Sequence, residues 1–308
     1  MTTTDRSAQA ARIALRTAAA PLAAMLLAST PLLITMDRYG AISFTPGRAL
    51  ATIGQWLAGL ADGSSFMYTI GKTEWSVLKT MPQFALTSYL YLALPGAIGM
   101  GAGLCLGLWT GRGKGGRIEA VGHTLYAMPD FVLALLLQLA VVFVLDAWGI
   151  KLGSISYNPW DGPVLGLAVV VMAFYPLLRT WKEAARAARD ASASDYIAYA
   201  RSKGLPERLV RMRHVGAAIV PKMEADLPLS MAVMVASMFI VEYVFALPGV
   251  ARLLFTAGFP GWNPGWMEGY QYRVVVLCLI TTMGVYAAAW GTLRLILAGV
   301  RRVLTGER

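Results

Sequence analysis

Long apolar stretches alternate with shorter polar ones along this chain. A helix needs roughly 20 consecutive, predominantly apolar residues to cross the hydrocarbon core of a membrane. The windows that meet this requirement lie at about residues 13–36, 85–109, 129–148, 162–179, 227–247 and 274–297. The pattern predicts an all-α polytopic membrane protein with six transmembrane helices, so that both termini face the same side of the membrane.

Two long segments lie on the opposite side, and they differ in character. Within residues 37–84, the stretch PGRALATIGQWLAGLADG has apolar residues at near-helical spacing. This spacing predicts a short amphipathic helix at the membrane interface, with Trp56 as its anchor. Residues 248–273 are rich in glycine, proline and tryptophan, which predicts a folded loop at the outer mouth instead of a regular helix.

Charge and composition agree with a membrane protein. The chain is 57% hydrophobic and only 14% charged, whereas a soluble domain carries about 25% charged residues. Twenty of the 27 lysines and arginines fall on the side of the termini, which the positive-inside rule assigns as cytoplasmic. This asymmetry accounts for the net charge of +10 without nucleic acid as a partner.

The second predicted span carries glycines at steps of four residues, at Gly99, Gly103, Gly107 and Gly111. One face of this helix therefore lacks side chains, and another helix can approach it closely. Two interpretations are open at this point. The smooth face serves static helix packing, or it slides against its neighbour during a transport cycle.

No arrangement of residues in the sequence predicts enzymatic chemistry. A HExxH motif, a paired-carboxylate site and a Ser/His/Asp set are all missing from the sequence, and so is the phosphate-binding G-x-x-x-x-G-K-[ST] motif. The histidines, His123 and His214, fall in predicted cytoplasmic loops and are interpreted as solvated or helix-end residues. Both cysteines, Cys105 and Cys278, lie in predicted spans and do not suggest a disulfide or a metal site. The sequence predicts no catalytic residue, no metal site and no cofactor in this chain.

The polar segment DYIAYARSKGLPERLVRMRHVGAAIVP, residues 195–221, is the most informative part of the sequence. Ser192 or Ser194 can cap a short helix there, and Gly204 permits a sharp backbone turn after it. Leu205-Pro206 then favours the start of a second, basic helix. This order predicts an exposed helix, turn and helix that dock on a partner protein.

The order of residues here resembles the dipeptide, oligopeptide and nickel permease family of binding-protein-dependent ABC importers. The matching positions are Met128-Pro129-Asp130-Phe131, Asp195-Tyr196, Ala200 to Leu205, Arg213-His214, Pro221, Val241, Glu242, Phe245, Pro248 and Gly249. The importer signature is Glu-Ala-Ala, three residues, then Gly. The literal Glu183-Ala184-Ala185 is a decoy, because Arg189 stands where the glycine should be. The working register places Gly204 at the glycine, after Ala198, Tyr199 and Ala200.

The likeness covers roughly residues 85–260 and sets the predicted domains. Residues 1–84 form an N-terminal transmembrane helix and extracytoplasmic segment that does not look like the family's usual first span. Residues 85–308 form the permease core, with a cytoplasmic coupling loop at 180–226. Departures occur at Asn263-Pro264, where the family has Asp-x-Pro, and near the C-terminus, which lacks the family's Asp-Pro-Arg.

The resemblance implies a type I ABC importer permease in a bacterial inner membrane. Its partners would be a homologous second permease, two ABC ATPase subunits that bind ATP and Mg, and an extracytoplasmic substrate-binding protein. The cargo would be a peptide-like solute or a nickel or metallophore solute. The implied ATPase-coupling residues are Asp195, Tyr196, Ala198, Tyr199, Ala200, Arg201, Lys203, Gly204 and Leu205.

Channel residues are a separate prediction. The gate or channel candidates are Met128 and Pro129 at the start of the third span, and Ser230, Met234 and Ser237 along the fifth. Ordinary helix packing would also explain them. Glu242, near the outer end of the fifth span, is a further gate or channel candidate, because an ionisable residue at membrane depth is a functional candidate; the alternative is a structural anchor that pairs with Arg252.

Two other classes of protein compete with the importer. An ion-coupled secondary transporter would be expected to carry charged residues near mid-membrane and discontinuous helices, but the predicted spans are almost free of charge. A membrane scaffold subunit would not need the loop centred on Gly204. The sequence therefore favours an ATP-driven importer subunit.

Overall fold

The structure is a computed structural model, and it describes residues 19–36, 39–70, 73–111, 122, 124–150, 165–192, 194–259 and 269–305. Its helices are α1 (Ala19–Leu33), α2 (Pro46–Asp62), α3 (Val77–Thr110), α4 (Asp130–Trp148), α5 (Leu165–Ser192), α6 (Asp195–Ser202), α7 (Glu207–Val244), α8 (Val250–Gly258) and α9 (Tyr272–Thr305). Its strands are β1 (Ile34–Met36), β2 (Ile42–Phe44), β3 (Met67–Ile70) and β4 (Thr73–Ser76).

The predicted all-α membrane class is confirmed. Four helices of the described part, α3, α4, α7 and α9, are long and apolar enough to cross a membrane, and each contains or overlaps a predicted span. The predicted first and fourth spans fall on α1 and α5, although residues 13–18 and 162–164 lie outside the described part. Helices α3 and α9 each have 34 residues, because their helical conformation continues into polar sequence beyond the apolar window.

The chain divides into two compact units, and the first consists of Met1–Ala85 and Val250–Gly284. Its core is a cluster of buried apolar side chains from α1, α2, β3, α8 and the starts of α3 and α9. Among these residues are Met25, Trp56, Tyr68, Met81, Ala257 and Cys278. Tyrosine hydroxyls at the start of α9 tie this core together: Tyr272 donates to the carbonyl of Met25 at 3.2 Å, and Tyr270 donates to that of Ala28.

The amphipathic helix predicted in this unit exists as α2, but the predicted role of Trp56 is wrong. Its side chain is only 5% exposed and packs in the core of the unit, so it cannot anchor the helix in lipid headgroups. Two antiparallel hairpins flank α2, one pairing β1 with β2 and the other β3 with β4. The sequence did not predict them, because strands of three or four residues carry too little periodicity to stand out.

The predicted folded loop at residues 248–273 is partly helical. Residues 250–258 form α8, and the φ of +53° at Ala246 marks the turn that precedes it. Residues 260–268 lie outside the described part. The glycine and proline content of this segment concealed a short regular helix of nine residues.

The second unit consists of Leu86–Gly249 and Val285–Arg308, and in it α3 packs closely against α5 through the glycine stripe. A methyl group added at Gly99 would lie 2.5 Å from the carbonyl oxygen of Ala173, and one at Gly103 would lie 2.5 Å from that of Leu177. At Gly111 it would lie 2.7 Å from Cβ of Ala188. The prediction of a close helix approach is therefore confirmed, and the observed contacts are those of tight packing.

Glycine at the stripe should be essential for stability, and a neighbouring glycine off the stripe should not. Gly103→Ala is expected to destabilise the protein by about 1–3 kcal/mol, since the added methyl group meets a backbone carbonyl that cannot move away. Gly101 has open space around its Cα, so Gly101→Ala should leave stability unchanged or raise it by up to about 1 kcal/mol. Thermal unfolding of the two purified variants in the same detergent would separate these effects, and equal melting temperatures would contradict the packing role.

Candidate functional site

The segment around Gly204 forms the helix, turn and second helix that the sequence predicts. Helix α6 begins after Ser194, whose backbone is extended, and the chain turns at Gly204, where φ is +71°. This left-handed conformation is one that glycine adopts without steric cost. The predicted capping of this helix by a serine side chain is wrong, because the Ser194 side chain makes no hydrogen bond to the first backbone amides of α6. Its hydroxyl instead donates to the preceding carbonyl of Ala191 at 2.6 Å.

Helix α6 has one face bound to its own chain and one face open. Ile197 and Ala200, three residues apart, are 1% and 5% exposed, so they anchor the helix. Tyr196 and Tyr199 are 57% and 61% exposed. The open face and the adjoining turn also present the small side chain of Ala198 and the charged side chains of Asp195, Arg201 and Lys203.

Ile197 was missed by the sequence reading, although its spacing from Ala200 is the usual signal of a buried helix face. Ala200 was predicted to belong to the docking surface, and the structure places it on the anchored face. Leu205 is half-buried. The predicted coupling residues with exposed side chains are therefore Asp195, Tyr196, Ala198, Tyr199, Arg201 and Lys203.

A salt bridge closes the turn around Gly204. Arg201 donates from Nη2 and Nε to the two carboxylate oxygens of Glu207, at 3.0 Å and 3.2 Å. This hydrogen bonding raises the pKa of Arg201 above its ordinary value, so its guanidinium stays charged. On the same surface the Lys203 ammonium lies 4.6 Å from the centroid of the Tyr199 ring, a cation–π contact. The turn therefore presents a fixed pattern of rings and cations.

Helix α6 is also joined to the first part of α7. Tyr196 Oη and His214 Nδ1 share a hydrogen bond, and their rings meet edge to face with centroids 5.2 Å apart. His214 belongs to a seven-residue π-helical segment, Val210–Gly216, a conformation that is rare and concentrated at functional sites. His214 is half-buried, and its interpretation as a solvated or helix-end residue stays a prediction, whereas His123 lies outside the described part.

The channel candidates on α7 lie on its buried face. Ser230, Met234 and Ser237 are 7%, 1% and 5% exposed. Ser237 donates to a carboxylate oxygen of Asp130 at the start of α4, and Met234 packs beside Gly96 of α3. Among these candidates Ser230 lines a cavity. At the start of α4, Met128 is half-buried, and Pro129 is exposed with the extended backbone that precedes a helix.

Glu242 is completely buried near the end of α7. The Ser88 hydroxyl of α3 donates to its Oε1 at 2.5 Å, and a methyl group at Gly249 would collide with its carboxyl group. The turn after α7 passes back over Glu242, since the amide of Leu247 donates to the Glu242 carbonyl at 2.9 Å. Gly249 is thus required by the close approach of the carboxylate.

A strong ion pair between α5 and α7 was missed by the sequence reading. Arg179 donates from Nε and Nη2 to the two carboxylate oxygens of Asp226, each at 2.5 Å. Its Nη1 donates to the hydroxyls of Tyr175, at 3.1 Å, and Tyr126, at 3.3 Å. The available signal was the presence of opposite charges at the facing ends of two consecutive predicted spans.

A cavity lies beside this ion pair, within the second unit. Its volume is about 390 Å³, and helices α3, α5 and α7 form its walls. The lining residues are Met100, Thr180, Glu183, Ile219, Lys222, Met223, Ala225, Asp226 and Ser230. The cavity therefore combines thioether and aliphatic groups with hydroxyls and both signs of charge.

The sequence of this chain is similar to those of known membrane transport proteins. The glutathione transport system permease protein GsiC of Pectobacterium atrosepticum is 28% identical to this chain over 197 residues. The alignment covers 62% of this chain and 60% of that relative, so the match spans less than two thirds of the relative's length.

A family model described as binding-protein-dependent transport system inner membrane component matches residues 99–301. This range contains the glycine stripe, the turn at Gly204 and the whole of α7. It covers more than half of the chain. The chain therefore belongs to the family of inner membrane components of binding-protein-dependent transport systems.

Proposed function

We propose that this chain is a permease subunit of an ATP-driven ABC importer and forms half of a translocation path with a homologous second permease. Helix α6 carries the proposal. It is held to its own chain by Ile197 and Ala200 while Tyr196, Tyr199 and Arg201 face outward. Family membership supports the same conclusion. ATP and Mg would bind to separate ATPase subunits, and this chain would perform no hydrolysis itself.

The open face of α6 and the turn after it are the proposed docking surface for an ATPase subunit. Its residues are Asp195, Tyr196, Ala198, Tyr199, Arg201, Lys203 and Gly204, and it lies on the side that carries most of the basic residues, which we assign as cytoplasmic. Flat aromatic rings give large contact area at a small cost in conformational entropy. The salt bridge from Arg201 to Glu207 stabilises one conformation of the turn. A partner would therefore bind a preformed surface.

Motion of the docked helix would reach the membrane through α7. Tyr196 contacts His214 in the π-helical segment, and α7 continues from there through the full span to Glu242. A rigid-body displacement of α6 would therefore move α7, in the manner of other transitions between two packed states. The channel candidates Ser230, Met234 and Ser237 lie on this moving helix.

A peptide-like solute is the proposed cargo, delivered by an extracytoplasmic substrate-binding protein. The relative whose name specifies glutathione transport supports this choice over nickel or a metallophore. Six membrane crossings with both termini in the cytoplasm complete the proposal. Glu242 is assigned a positioning role, since it holds the turn at Gly249 against α3.

Copurification tests the proposed assembly. An ATPase with a P-loop motif should be recovered with this chain from solubilised bacterial membranes. Arg201→Glu should reduce that recovery about tenfold or more, because it places two carboxylates across the turn and reverses one charge of the docking surface. Arg302→Gln, an exposed cation at the end of α9, serves as the control. Solute uptake by this chain alone in liposomes without ATP would contradict the proposal.

The turn should require, at position 204, a residue that adopts the left-handed backbone conformation easily. Gly204→Val should abolish solute-stimulated ATP hydrolysis while membrane insertion stays normal, since a β-branched residue is strained at this φ by about 1–2 kcal/mol. Gly204→Asn should retain most of the coupling, because asparagine tolerates this conformation. No atom lies within 4 Å of a methyl group built at this position, so the valine effect reports backbone geometry. Equal activities of the two variants would rule out a role for the turn's shape.

The contact between Tyr196 and His214 should matter for transmission more than for docking. Tyr196→Phe removes the hydroxyl and with it a hydrogen bond worth about 1 kcal/mol, but it keeps the exposed ring. The ATPase should still copurify, whereas solute taken up per ATP hydrolysed should fall severalfold in proteoliposomes. His214→Ala should produce the same pattern. Loss of ATPase recovery in Tyr196→Phe would instead assign the hydroxyl to the docking surface.

A further inference from the structure

Two charged side chains face the cavity between α3, α5 and α7 without an ion-pair partner in the described part of the chain. They are Glu183 of α5 and Lys222 of α7, and both are exposed to the cavity's open side. No oppositely charged nitrogen or oxygen of the described residues lies within 4.0 Å of either group. One wall of the cavity thus offers a carboxylate and another offers an ammonium group.

The third charged residue of the cavity lining, Asp226, already has an ion-pair partner. Asp226 accepts two hydrogen bonds from Arg179 at 2.5 Å and one from the Ser230 hydroxyl at 3.3 Å. Its negative charge is therefore compensated, and the ion pair is a fixed part of the wall. Glu183 and Lys222 are left as the charges that a visiting molecule can contact.

Helix geometry keeps these groups in place. Lys222, Asp226 and Ser230 follow each other at steps of four on α7 and so share one face of that helix. Glu183 lies one turn beyond Arg179 on α5, which the bridge to Asp226 ties to α7. The separation of the two backbone positions that carry Glu183 and Lys222 is therefore set by the same contact that joins the two helices.

We propose that this cavity is a solute-binding vestibule that selects molecules carrying both an amine and a carboxylate. Glu183 accepts hydrogen bonds from the ammonium end, and Lys222 donates to the carboxylate end. The inference rests on the proposed permease function and adds to it a charge filter in the membrane subunit, where the delivering protein alone would otherwise set specificity.

The remaining lining suits a solute with variable side chains. Met100, Met223 and Ile219 supply apolar contact, and methionine adapts its shape to different partners. The volume of about 390 Å³ is within the range of small-molecule sites, which runs from about 300 to 1,000 Å³. The site would therefore discriminate between solutes by their charged ends and would accept different side chains in the middle.

The test measures protection of a thiol placed in the wall. In the complete complex purified with its ATPase and permease partners, Cys105 and Cys278 are replaced by alanine and Ala225→Cys is introduced. The rate of its modification by a methanethiosulfonate reagent is recorded with trialanine, N-acetyltrialanine or trialanine amide. Thr305→Cys, exposed at the end of α9 and outside the cavity, is the control thiol.

Trialanine should protect Ala225→Cys at a concentration about tenfold lower than either capped form, as expected for the loss of one hydrogen bond to a charged group. Glu183→Gln should remove the difference between trialanine and its N-acetyl form only. Lys222→Gln should remove the difference between trialanine and its amide only. Arg302→Gln should change neither, and Thr305→Cys should react at the same rate with every peptide.

Equal protection by the three peptides, or protection by none of them, would overturn the inference. Loss of the partner permease from the complex in Glu183→Gln or Lys222→Gln would also overturn it, because these side chains would then contact a protein and not a solute. Failure of the proposed function is a separate outcome. It would appear as absence of ATP-dependent uptake by the intact complex, whatever the protection experiment gives.

Discussion

The close approach of α3 to α5 is the contact on which the rest of the second unit depends. In a bilayer, apolar side chains gain little by leaving lipid, so helices associate through van der Waals contact between surfaces that fit. Gly99, Gly103 and their neighbours at steps of four supply such a surface, because they remove every side chain from the contact. Helix α5 then carries Arg179 towards α7, places Glu183 at the cavity, and leads into α6. The position of α6 therefore depends on the absence of side chains along the glycine stripe of α3.

Directional polar contacts fix α7 within this frame. Three of them join α7 to three different helices: Arg179 of α5 pairs with Asp226, Ser237 bonds Asp130 of α4, and Ser88 of α3 bonds Glu242. These contacts are partly or fully buried, so desolvation offsets much of their attraction, but removing one partner is costly. Their effect is to fix the rotation of α7 about its own axis and its position along that axis relative to α3, α4 and α5.

The elements that the sequence predicted correctly depend on local rules. The apolar windows of α3, α4, α7 and α9 are recognisable because a helix needs a minimum apolar length to cross the bilayer. The turn at Gly204 is recognisable because glycine adopts a positive φ without steric cost. The elements it missed depend on distant contacts. Arg179 and Asp226 are 47 positions apart, and opposite charges at the facing ends of two predicted spans suggest such a pair only once the two helices are known to be neighbours. The same holds for the burial of Ala200, the π-helical segment of α7 and the core position of Trp56, each of which is decided by what packs against it.

Helix α7 carries both the contact with α6 and one wall of the cavity. His214 meets α6, and Lys222 meets the cavity eight residues later, which is roughly 12 Å along a helix that rises about 1.5 Å per residue. Ser230 lies two further turns away. In the proposed function, a displacement at Tyr196 would therefore reach the charged wall of the vestibule through about two helical turns, without crossing an interface between helices. The Arg179–Asp226 pair would carry the same displacement to α5, so the carboxylate and the ammonium would shift together and their spacing would be retained while the vestibule moves.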